Sequence, residues 1–132
     1  MPVYEQMDEG EKSFVDKLFD TCAPLSWRER HLVFNHIAET AYERLCREAD
    51  PQQAEDRLNE AMSLTIAAVL EKFALEACAD GWCAVHLMFS ARADHRDMGK
   101  RWAAENEAEW QAVLNEISAA IGANAAHASS GH

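Results

Sequence analysis

Apolar residues recur along this chain at helical spacing. Between about Asp8 and Cys22, the side chains of Phe14, Val15, Leu18, Phe19 and Cys22 fall on one side, and Met7 extends the stripe. That spacing predicts a first amphipathic helix. Asp8, Glu9 and Glu11 in its first turn favour the helix dipole. Pro24 ends it, and residues 1–10 are expected to be loose. A second helix opens at Ser26, where Ser26-Trp27-Arg28-Glu29 has the pattern of a capping box. Trp27, Phe34, Ile37, Ala38, Ala41 and Leu45 form its stripe, flanked by His31 and Tyr42, with His36 on the opposite side. Asp50-Pro51 forbids continuation beyond Ala49.

The pattern then predicts a central helix over about 51–80. Asp50 suits the N-cap, Pro51 the first helical position, and Gln53 completes a capping-box pattern. Asp80-Gly81 is expected to stop it. At about 1.5 Å per residue it would span roughly 45 Å, the length of a small domain. Leu58, Met62, Ile66, Val69, Phe73 and Ala77 make one stripe, and Leu64, Ala68 and Leu75 a second. Two stripes imply neighbours on two sides.

Trp82 to Ala91 is apolar nearly throughout and predicts a short buried helix, since the chain offers no other strand for it to pair with. The segment from Arg92 to Arg101 is a local basic island, with Gly99 suggesting a turn. A last helix is expected from about Lys100 to Ile121, stopped by Gly122. Trp102, Trp110, Val113, Leu114, Ile117 and Ile121 share its apolar face, with Asn106 lying inside that face. The expected fold is all-α: a compact bundle of about five helices around the long central one. Residues 1–122 form one domain and 123–132 a disordered tail.

Composition fits this picture. The 132 residues are 48% hydrophobic and 27% charged, enough to bury a core without disulfides or metals. Net charge changes the view of partners. At −11, the chain repels nucleic acid and anionic membrane and attracts basic surfaces. No apolar run reaches membrane-spanning length, because Glu71, Lys72 and Glu76 interrupt the longest one. The opening residues lack a basic and apolar leader, so a cytoplasmic location with reduced thiols is expected.

Candidate chemistry is sparse. The chain has no glycine-rich dinucleotide fingerprint, phosphate-binding loop, HExxH or GxSxG, and no Glu followed three residues later by His. Cys78, Cys83 and His86, with His95 downstream, form the one set of soft ligands that could close a tetrahedral zinc site. The alternative is that the cysteines are small core residues, and a reversible Cys78–Cys83 disulfide is a further variant. Arg96, Lys100 and Arg101 are candidates to hold an anion or a partner at the start of the last helix. Asn106, Leu64 and Leu75 are candidate interface positions, Asn106 because a polar residue on an apolar face must find a partner if buried. Trp27, Trp82, Trp102 and Trp110 could line a pocket, though tryptophan at helical spacing is more often core.

These features favour a small acidic protein-interaction module without enzymatic activity: an adaptor, regulator or inhibitor of another protein, with homodimerisation as a further expectation. Two alternatives follow from the same residues. One is an acidic inhibitor that occupies the nucleic-acid-binding site of a basic target. The other is a zinc- or small-ligand-binding regulator built on the cysteine and histidine cluster.

Overall fold

The computed structural model describes the backbone of residues 2–130 and side chains as far as residue 120. The protein is an all-α bundle of six helices, with no strand among the described residues. They are α1 (Glu9–Cys22), α2 (Trp27–Leu45), α3 (Pro51–Phe73), α4 (Gly81–Met88), α5 (Ala93–Glu105) and α6 (Glu107–Ser130). None of them is long and apolar enough to cross a membrane.

Local chemistry sets most of the starts. Asp8 and Glu11 form a reciprocal capping box on α1, and Ser26 and Glu29 form another on α2. Asp50 accepts from the Gln53 N–H at 3.0 Å at the start of α3, with Pro51 behind it. Residues 1–10 are not loose as a block. Tyr4–Gln6 form a short 3-10 turn, and the Val3 and Tyr4 N–H groups donate to the Glu71 carboxylate at 2.8 and 2.9 Å.

The central helix is shorter than its pattern implies. It ends at Phe73, where Ala74 takes a left-handed conformation (φ 50°) and Leu75 folds back against the core. Asp80-Gly81 starts a helix instead of stopping one: the Asp80 carboxylate accepts from the Cys83 N–H at 2.8 Å and caps α4. The predicted short buried helix is present as α4, the most enclosed element, with Cys83, Ala84 and Leu87 wholly inside.

Two further corrections concern the C-terminal third. Arg92–Arg101 is not a turn. Arg92 is the N-cap of α5, and Gly99 lies within that helix because α4 passes directly over it. A Cβ on Gly99 would meet the Ala84 carbonyl oxygen and Leu87 Cβ, each at 3.0 Å. Gly81 is confined in the same way by Val113 of α6, whose Cγ2 would lie 2.5 Å from an added Cβ. The single last helix is in fact two, broken at Asn106 (φ −133°, ψ 51°). Helix α6 then continues through Gly122 to Ser130. The side chains from residue 121 onward lie outside the described residues, and the disordered tail expected over 123–132 falls there.

The core runs through the middle of the bundle, between α1, α2, α3 and α4. Val15, Leu18, Cys22, Trp27, Phe34, Ile66, Val69, Leu70, Cys83 and Leu87 form it. Phe73 carries it outward, its ring tilted against those of Phe19 and Trp27 with centroids 4.7 and 5.6 Å apart.

Candidate functional site: a groove and a hollow beside helix α4

Three helical stripes meet on one side of α4. Arg28, Leu32 and Asn35 line up along α2, Trp82, Val85 and Phe89 along α4, and Glu116, Ile117 and Ala120 along α6. They bound a groove of about 470 Å³. Trp82 lies in its wall, its ring 5.1 Å from that of His31 and 5.9 Å from the Arg28 guanidinium carbon. Arg28 pairs with Glu116 at 2.8 Å and so bridges α2 and α6. Leu32 is 52% exposed and Phe89 62% exposed, an unusual state for two large apolar side chains lining the same groove.

On the other side of His31 and Phe89 lies a smaller hollow of about 240 Å³. Phe34 and Ala38 of α2, Leu58, Met62 and Ile66 of α3, and His86 of α4 wall it. His86 is 3% exposed and sits among the rings of Trp27, His31 and Phe34, with centroids at 5.5, 5.7 and 5.2 Å. Burial above all, then the positive potential of His31 and Arg30, pushes its pKa down to about 3. The ring is therefore neutral at physiological pH. Its Nε2 is buried without a hydrogen-bond partner among the described residues.

Comparison with family models, curated proteins and solved structures finds no match. The chemistry of the site rests on its own residues.

The four predicted metal ligands do not converge. Among the described residues no three His, Cys, Asp or Glu side chains gather to hold a metal ion. Cys78 and Cys83 do come together as free thiols. A hydrogen bond between them pushes Cys78 up and Cys83 down, and Cys78 Sγ also meets the Asp80 carbonyl at 3.2 Å. His86 faces the aromatic rings of α2. His95 Nδ1 instead lies 2.7 Å from Ser90 Oγ, which also accepts from the Arg92 N–H at 3.1 Å. That buried pair ties the end of α4 to the start of α5.

The basic island is likewise spread along α5. Arg96 is spent on the Ser90 carbonyl at 2.9 Å, while Lys100 and Arg101 are exposed. Of the interface candidates, Asn106 is half-buried and donates to the Trp102 carbonyl at 2.9 Å. Leu75 packs against the core, and Leu64 is 38% exposed. Among the tryptophans, Trp27 is core and Trp82 lines the groove.

Two residues stand out that the sequence pattern did not single out. Phe89 looks like a core position, because Trp82, Val85 and Phe89 share helical spacing. Glu71 looks like a mere interruption of an apolar run. Its side chain is only 9% exposed and collects Val3, Tyr4 and the Arg92 guanidinium, the last at 2.8 Å. An acid inside the run TIAAVLEKF was the available signal for it.

Proposed function

We propose that this chain is a small acidic protein-interaction module that takes apolar side chains of a partner protein into the groove between α2, α4 and α6. The observation that carries this reading is the pair Leu32 and Phe89, both left largely in water while lining one groove. Burying a Leu or Phe side chain is worth about 1.5–3 kcal/mol, so a partner that covers both gains substantially from this patch alone. The groove between helices suits an amphipathic helix with apolar anchors at i, i+3 or i+4, and i+7. A net charge of −11 favours a partner whose surface around those anchors is basic. The role is one of binding, without catalysis by the module itself.

The test uses matched baits: the wild-type chain and a Leu32→Glu/Phe89→Glu variant, each checked for native helicity. A basic protein retained by the first and lost by the second supports the reading, and its capture should weaken as salt rises. Identical capture by both baits overturns it. Release of the captured protein by added DNA would favour the alternative in which the acidic surface takes the place of nucleic acid on its target.

A further inference from the structure

Cys78 and Cys83 stand outside both spaces described above, lining neither the groove nor the hollow at His86. Once the left-handed turn at Ala74 ends α3, the irregular segment 75–80 brings Cys78 back to the first turn of α4. Asp80 fixes both cysteines there. Its carbonyl accepts from Cys78 Sγ at 3.2 Å, and its carboxylate accepts from the Cys83 N–H at 2.8 Å. At this junction thiol meets thiol, and both are free.

The two sulfurs differ in access. Cys83 is 0% exposed, whereas Cys78 is half-buried and lines an open hollow of about 270 Å³ with Met98, Arg101 and Trp102. Glu76, Asp94 and Glu105 outnumber Arg101 in that wall, so a small uncharged reagent enters more readily than an anion. They differ in acidity as well. Their hydrogen bond keeps the proton on Cys78 and pushes Cys83 down, so the buried sulfur is the readier thiolate.

We propose that Cys78 and Cys83 are a peroxide-reactive dithiol that closes to an intramolecular disulfide, with Cys78 the sulfur oxidised first and Cys83 the one that resolves it. Cys78, as its thiolate, attacks hydrogen peroxide: an S–O bond forms, the O–O bond breaks and hydroxide leaves. The Cys83 thiolate then attacks the sulfenic sulfur of Cys78: the S–S bond forms, the S–O bond breaks and a second hydroxide leaves. The two hydroxides take up the two thiol protons. Peroxide is thereby reduced to water by the two electrons that the thiols lose. The first step is the slow one, because Cys78 holds its proton. The second is fast, because the attacking sulfur already lies against its target and needs little backbone movement. The bridge ties the 75–80 segment to α4. This inference does not rest on the partner-binding reading, and its test involves no partner.

The test exposes the folded, reduced full chain to hydrogen peroxide and maps each cysteine by mass spectrometry. The expected product is lighter by about 2 Da, carries a Cys78–Cys83 link and returns to free thiols with dithiothreitol. In Cys83→Ser the oxidation should stop at the sulfenic acid, which dimedone traps on Cys78. In Cys78→Ser the enclosed Cys83 should remain a thiol. Both variants are checked for native helicity, and the wild-type map decides whether the bridge forms even if neither folds. Recovery of Cys78 and Cys83 as thiols while the exposed Cys46 is oxidised overturns the proposal. So does oxidation of Cys83 in folded Cys78→Ser at the wild-type rate.

Discussion

Glu71 and His86 are both polar side chains shut inside the bundle, and their surroundings are opposite. Glu71 sits in a closed set of partners. Two backbone N–H groups and the Arg92 guanidinium satisfy it, and Arg92 in turn holds Asp94. Nearby, Asp16 accepts from the Tyr4 hydroxyl at 2.8 Å and pairs with Lys72 at 2.9 Å. His86 has three aromatic neighbours and a ring nitrogen without a hydrogen-bond partner. The polar side of the bundle is finished: its long-range interactions fasten one segment of the chain to another. The aromatic side is left open, with an unpaired imidazole nitrogen within and Leu32 and Phe89 in water without. Buried polar groups that are fully satisfied hold structure, whereas those left wanting mark where something else can bind.

The largest expected effect tests the closed side. Glu71→Ala strips the partner from a part-buried Arg92 and orphans two N–H groups, and should cost about 3 kcal/mol or more in urea denaturation. A loss below about 1 kcal/mol would mean that the network is ornamental, and the contrast with His86 would collapse.

The next effect tests the open side by pH. The folded pKa of His86 lies near 3, below its ordinary 6.5, so the unfolded chain takes up a proton that the folded one refuses. Its contribution to stability is complete above pH 6.5 and is lost as the pH falls toward 3. The slope reaches about 1.4 kcal/mol per pH unit, or about 2 kcal/mol between pH 6.5 and 5. His31 and His95, also pushed down by burial, add to the same window. Glu71 does not. Burial alone would raise it, but the Tyr4 and Val3 hydrogen bonds and Arg92 hold it below its usual 4.5, so its share is lost only at more acid pH. His86→Leu should therefore flatten the wild-type slope from pH 6.5 down to about 3, as measured by denaturation at several pH values, with the Glu71 share below pH 4.5 remaining.

The smallest effect is the sharpest. Phe89→Ser should change stability by no more than about 0.5 kcal/mol, because the side chain is already in water. Phe34→Ala, in the wall of the same hollow but 5% exposed, should cost about 3–5 kcal/mol. Equal losses would make Phe89 an ordinary core residue and remove the main support for the groove.

The helical architecture was legible because its signals are local. Ser26 with Glu29, Asp50 with Pro51, and the apolar stripes of α1 and α2 each announce themselves within a few residues. The errors arose where a local signal has two meanings. Asp-Gly suits a helix stop and a helix start equally, and only the Asp80 side chain reaching the Cys83 N–H decides between them. Ala74 in a left-handed conformation carries no signature at all, since glycine or asparagine is the usual choice there. Gly99 looked like a turn because the helix packed over it comes from elsewhere in the chain. The candidate site was harder still. Exposure of Phe89 and the missing partner of His86 are properties of assembled neighbours, and helical spacing alone places both residues in a core.

The clasp on Glu71 also has a consequence in time. Val3 and Tyr4 leave the ribosome well before Glu71, 68 and 67 positions later, and before Arg92, which completes the clasp. Contacts across such separations close late, once local helices have formed. The earliest-made residues of this stretch are thus placed only when α3 and α5 already stand. In the finished protein the Val3 and Tyr4 amides, both bonded to that carboxylate, should exchange sooner when it is protonated.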